Sequence, residues 1–232
     1  MLKKILIVCI FLLSAVFCRA QSNFTRGEQF LMQNQPSQAV PFLEGAISDD
    51  PSNVLAWLYL GIVYEQLGRV DDAISVYRRI LPYAGSLTAN VANNLGNVYF
   101  QRGNIVEAER YFTEAINFDS VYSRAYLGRA NTRTKAENLQ NAVSDYEHYL
   151  TLSPRSSQRA NIEQLISLIR AEMAAAEMRR IMAEEDERRL AEERQKLLDM
   201  VSASLQSAAD YSRGLSSGAE GIESYEGEFV LD

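Results

Sequence analysis

Three stretches of this chain read alike: YLGIVYEQLG at Tyr59–Gly68, NLGNVYFQRG at Asn94–Gly103 and YLGRANTRTK at Tyr126–Lys135. The residues after each stretch match too, as DDAISVYRRIL from Asp71, VEAERYFTEAI from Val106 and QNAVSDYEHYL from Gln140. Their alanines Ala73, Ala108 and Ala142 stand 35 and 34 residues apart, and 34 residues before Ala73 lies Ala39, inside SQAVPFLEGAI. Self-similarity at such a period marks a supersecondary unit that cannot bury its apolar face alone and stacks on its neighbours. Four copies fit, at about 21–53, 54–88, 89–122 and 123–155.

Each copy reads as two helices. Trp57, Leu60, Gly61 and Tyr64 in the first helix, and Ala73, Ile74, Tyr77 and Ile80 in the second, recur at the spacing of an amphipathic helix. Gly68 and Gly103 sit between the helices, where a left-handed residue is wanted, and Asn34 serves likewise in the first copy. Glu137 is poorly suited, which predicts a different turn in the fourth. Pro51 and Pro154 stop the first and fourth copies. Gly27, Gly61, Gly96 and Ala130 on one helix, and Ala39, Ala73, Ala108 and Ala142 on the other, let the pair approach. Phe30, Tyr64, Tyr77, Tyr99, Phe112 and Tyr146 fill the space between, and Trp57 is read as core.

The pattern resembles the tetratricopeptide repeat over roughly 135 residues. It departs from it at Asn23 and Ala92, where the family often has Trp, and at Arg133, where it has Tyr. Gly85 and Ser120 replace a closing Pro, and the loop Pro82–Ser86 carries one extra residue. The resemblance implies an all-α fold: a right-handed superhelical solenoid of about four helix pairs plus a long C-terminal helix. It also implies a concave groove lined by the first helix of each pair, of the sort that binds a peptide or partner protein.

The residues expected to face that groove differ along it. Asn90, Asn93, Asn94 and Asn97 crowd one helix of the third copy, which is unfavourable for helix propensity. An amide both donates and accepts, so these side chains suit a clamp on a peptide backbone. Arg124, Asn131 and Lys135 lie in the fourth copy and add charge-assisted bonds to a carboxylate. Family members that bind acidic tails use Asn, Lys and Arg in this region, although the usual first-copy contributions are missing here. Phe24, Leu31, Leu58, Tyr59 and Ile62 make the first two copies more apolar, with Glu65 at the edge. Simple solvation of these polar side chains is the bland alternative, and a small-molecule or lipid pocket near Phe24, Leu58 and Ile62 is another.

Outside the repeats, Lys3 and Lys4 precede an apolar run from Ile5 to Phe17, then Cys18-Arg19-Ala20. Residues 1–20 read as a secretory signal peptide cut after Ala20, too short to span a bilayer. This predicts a periplasmic or secreted protein whose mature chain has no transmembrane helix. The alternative is a lipoprotein anchored through Cys18. Cys9 and Cys18 are the chain's two cysteines, so the cleaved chain folds without disulfides. Cleavage leaves 20 basic residues against 30 acidic, a net charge of −10, and no basic face suits nucleic acid.

His148 is the sole histidine and makes neither a metal site nor a catalytic pair. No phosphate-binding glycine loop occurs. The sequence therefore predicts no enzyme, no cofactor and no metal.

Ile162, Leu165, Ile166 and Ile169 are expected to cap the fourth copy within a capping and extended charged helix over 156–213. Thirteen of the twenty residues from Glu177 to Lys196 are charged, with Glu184–Arg188, Glu185–Arg189 and Glu192–Lys196 at the favourable i, i+4 order. Leu197, Leu198, Val201 and Leu205 form a short stripe suited to a partner helix or to self-association, without a sustained coiled-coil heptad. Residues 214–232 read as a disordered acidic tail.

The functional expectation is a non-catalytic interaction scaffold of the bacterial-type cell envelope. Its alternatives are an envelope assembly factor or a ligand-binding accessory of an envelope transport system.

Overall fold

A computed structural model describes residues 22–219, with side chains to Arg213. The signal-peptide segment and residues 220–232 of the acidic tail lie outside the described residues. Those described form nine α-helices and two 3-10 turns, with no strand. They are α1 (Asn23–Met32), α2 (Pro36–Asp49), α3 (Val54–Gln66), α4 (Val70–Ile80), α5 (Thr88–Gln101), α6 (Ile105–Phe118), α7 (Ser123–Lys135), α8 (Leu139–Leu152) and α9 (Arg159–Ala219). The eight shorter helices make four antiparallel pairs.

Local chemistry sets the boundaries. Ser22, Asn53 and Asn104 cap α1, α3 and α6, each side chain accepting from a backbone amide three residues on, at 3.0–3.2 Å. Within the pairs, Asn34, Gly68, Gly103 and Glu137 all take positive φ, of 56°, 71°, 80° and 59°. Glu137 thus adopts the same turn as its counterparts despite its side chain, because the helix end imposes it. Asp50 and Asp119 turn the chain between pairs by accepting the amides of Ser52 and Val121, each at 3.0 Å. Between the second and third pairs the extra residue is taken up by the turns Leu81–Tyr83 and Gly85–Leu87, with Gly85 at φ 54°.

One core cluster runs from Ala39 in the first pair to Ala125 at the start of the fourth. A Cβ added at Gly61 would lie 2.3 Å from the Tyr77 ring, one at Gly96 2.7 Å from Phe112, and one at Gly27 2.8 Å from Leu43. In each case the facing side chain stands sixteen residues on, so the contact repeats with the sequence. Ala130 and Tyr146 hold that place in the fourth pair. Gly128, which the YLG letters align with Gly61, instead packs against Phe112 of the preceding pair, 2.3 Å from a Cβ built there. Of the expected core residues, Phe30 and Trp57 are only half-buried. Phe30 stacks on Phe42, while the Trp57 indole donates to Pro51 O at 3.1 Å beneath the Arg79 guanidinium.

The fourth pair departs from an apolar core. Arg129, Thr132 and Arg133 stand where the third pair has Leu95, Val98 and Tyr99. Arg129 grips Asp145 with two bonds of 2.8 Å and donates to Thr113 at 3.1 Å. Arg133 spans Asp145 at 2.8 Å and Glu109 at 2.7 Å. The Asp145 side chain is 4% exposed, so this is an enclosed ionic lock joining α6, α7 and α8.

Residues up to Arg170 form one compact unit and those from Ala171 a second, although α9 passes through the division. In the first unit Ile162, Ile166 and Ile169 are buried. In the second, α9 carries ion pairs Arg179–Glu172, Arg180–Glu177, Arg180–Glu184 and Arg189–Asp186. None of the three expected pairs forms: Arg180 takes Glu184 from the N-terminal side in place of Arg188, Arg189 reaches back to Asp186 instead of Glu185, and Glu192 and Lys196 make no ion pair among the described residues. The helix also includes Gly214–Ala219, six residues of the stretch read as disordered. No helix among the described residues is long and apolar enough to cross a membrane, and none of their acids, His or Cys cluster to hold a metal.

Candidate functional site

The first helices make a continuous layer: α1 touches α3, α3 touches α5 and α5 touches α7. The polar side chains of that layer are the candidate site, and the structure sorts them by what they already bind.

Two of the expected residues are not available. Leu58 is 5% exposed and part of the core. Asn93, 35 residues later, takes the equivalent buried place at 4% exposure. Both lie on the side of their helix turned into its neighbours, which helical spacing alone did not resolve. A comparison at the repeat length would have shown Asn93 in a leucine's position.

Three more are engaged by tyrosines. Asn90 donates to the Tyr122 hydroxyl at 3.3 Å and Asn94 to the Tyr77 hydroxyl at 3.3 Å. The Asn131 carbonyl accepts from the Tyr146 hydroxyl at 2.7 Å, leaving its amino group outward. Asn97 and Arg124 have no hydrogen-bonding or ionic partner among the described residues. Lys135 is exposed, with its ammonium 5.2 Å from the centre of the Phe100 ring. At the other end Phe24 stacks on Tyr59, centroids 5.7 Å apart, with Ile62 half-buried beside them.

That end is less apolar than the sequence predicts. The Tyr59 hydroxyl donates to Glu28 at 3.3 Å. Tyr77 packs its ring in the space Gly61 leaves and delivers its hydroxyl to Glu65. Burial pushes the Glu65 carboxyl above the usual carboxylate range, only partly offset by the bond from Tyr77. Burial and the Glu65 charge together hold the Tyr77 hydroxyl strongly protonated, so it serves as a donor. Local spacing places Glu65 only at the rim, since its partner comes from another helix twelve positions on. The first-helix layer is thus acidic over α1 and α3, amide-rich over α5 and basic over α7.

Known proteins share this architecture. Residues 53–120 match the tetratricopeptide repeat family. RNA polymerase II-associated protein 3 of Homo sapiens is 29% identical over 127 residues, covering 53% of this chain and 18% of the relative. The chain therefore spans less than a fifth of that relative's length. Among solved structures, Pseudomonas aeruginosa PilF superposes with a TM-score of 0.58 at 22% identity, over 66% of this chain and 68% of that one. MamA superposes with a TM-score of 0.57 at 22% identity, over 64% and 84%. With the repeated alanines, the glycine contacts and these superpositions in agreement, the four helix pairs of this chain have the fold of a tetratricopeptide-repeat solenoid.

Proposed function

We propose that this chain is a non-catalytic scaffold that holds a peptide segment of a partner protein against the layer formed by α1, α3, α5 and α7. The observation that carries the reading is the set of polar groups left over once packing is satisfied. Asn97 on α5, and Arg124, Lys135 and the amino group of Asn131 on the touching α7, are such groups, the last three strung along about 16 Å of helix, and none is tied down by a carboxylate among the described residues. A bound backbone can use the amides whatever its sequence. The test is affinity capture with the wild type beside an Asn97→Ala/Arg124→Ala variant. Asn131 is left intact because Tyr146 relies on it. A protein held by the wild type and lost by the variant supports the reading; equal capture by both moves the contact elsewhere.

Elsewhere means α9. Leu197, Leu198, Val201 and Leu205 are 49–66% exposed and share one side of it. They offer a second contact, to a partner helix or to another copy of the chain. A concentration series in sedimentation velocity, repeated on Leu198→Glu/Leu205→Glu, separates self-association from a monomer. The cell-envelope setting rests on residues 1–20 alone. Mass spectrometry of the protein made in a bacterial host distinguishes a free Gln21, a lipidated Cys18 and an uncut leader.

A further inference from the structure

The amides of α5 do not present an even mixture of donors and acceptors. Asn93 donates to the Asn94 carbonyl at 3.5 Å, Asn94 donates to the Tyr77 hydroxyl at 3.3 Å, and Tyr77 donates to Glu65. Every donor in this relay points toward the carboxylate. The groups left unused at its two ends are acceptors: the second oxygen of Glu65, and the Asn93 carbonyl oxygen, which is buried with no partner. A buried acceptor without a donor is unfavourable by the desolvation of that group. Glu65 is half-buried, and no Lys or Arg among the described residues lies within ion-pair distance of it. A carboxylate taken out of water without a cation is a standing electrostatic strain that an arriving cation relieves. Glu28, on the neighbouring α1, accepts from Tyr59 of α3 and adds a second negative charge to that end of the layer. Over α7 the situation is reversed, since neither Arg124 nor Lys135 has an acid within ion-pair distance among the described residues.

We infer that the segment bound here is dipolar: it brings a lysine or arginine side chain to Glu65, near the end of α3, and an acidic side chain to Lys135, at the matching end of α7. This rests on the peptide-binding reading above and deepens it. Two helix-to-helix steps separate α3 from α7, on the order of 20 Å at the usual interaxial distance. An extended chain covers that in about six residues at roughly 3.3 Å each. A uniformly acidic segment is disfavoured, because it meets Glu28 and Glu65 at one end.

The experiment uses the purified full chain and a bead-bound library of random octapeptides. The wild type is expected to enrich beads carrying Lys or Arg about six positions from Asp or Glu. Glu65→Gln is expected to lose the basic preference at least fivefold and keep the acidic one, while Lys135→Gln does the reverse. Glutamine still accepts from the Tyr77 hydroxyl, and matching melting curves establish that each variant is folded. Retained peptides with no basic preference, or a basic preference unchanged in Glu65→Gln, overturn the dipolar assignment and leave the peptide site standing. Retention of no peptide by the wild type overturns both.

Discussion

At Gly61 a single methyl group decides whether two helices meet. The Cβ of alanine would lie 2.3 Å from a fully buried tyrosine ring, too close for either helix to absorb without moving. Gly61→Ala is expected to lower stability by about 2 kcal/mol, in the range of overpacked cores, measured by urea unfolding. Glu65 has the opposite character. Its carboxyl holds a proton more tightly folded than unfolded, so ionising it opposes folding, and stability relative to an untitratable side chain falls as pH rises through the raised value. Glu65→Gln is therefore expected to be at least as stable as the wild type at pH 7, with an advantage that shrinks as pH falls through the weakly acidic range. An advantage that grew on acidification would contradict the burial of this group. The glycine's role was legible because it recurs in the neighbouring copies. The carboxylate's was not, because its environment is made by Tyr77 on another helix and Asn94 on a third.

At the level of the element, α7 shows where reading by letters misleads. YLG from Tyr126 imitates YLG from Tyr59, yet the structural counterpart of Gly61 is Ala130, two residues on from Gly128. Turn and alanine spacings carry the true register, and with it Arg129, Thr132 and Arg133 fall on core positions. Arginines there are tolerable only because Asp145 occupies the place of Val76 and Tyr111 in the earlier pairs. Asp145→Ala would leave two guanidinium groups enclosed without their shared carboxylate, at a cost of about 3 kcal/mol. Hydrogen exchange should show the loss first in α7 and α8, with α3 and α4 little changed. Identical rates throughout would mean the ionic lock contributes nothing local. Capping side chains and helix-ending turns were readable in advance; the cross-helix ion pairs were not, since they link residues 12 to 24 positions apart with no local pattern.

At the scale of the whole molecule, a stack of pairs must end somewhere. The buried isoleucines at the start of α9 form that end. Ile166→Asp would place a charge in their midst and is expected to cost about 3 kcal/mol, seen as a lower melting temperature. An unchanged melt would show that the fourth pair needs no cover. Periodicity made the solenoid legible from the alanines outward, and the absence of proline announced the length of α9. The order within residues 214–219 was not announced, because glycine weakens a helix without forbidding it.

Among the four pairs, the main helix-to-helix contacts run within a pair or to the pair next in sequence. A chain of this kind, drawn out by its two ends, has no single strong bond that must fail first. It should lengthen in a series of small steps, one hairpin at a time, and shorten again when the load is released, so that whatever it holds is tethered through an extensible link rather than a rigid strut.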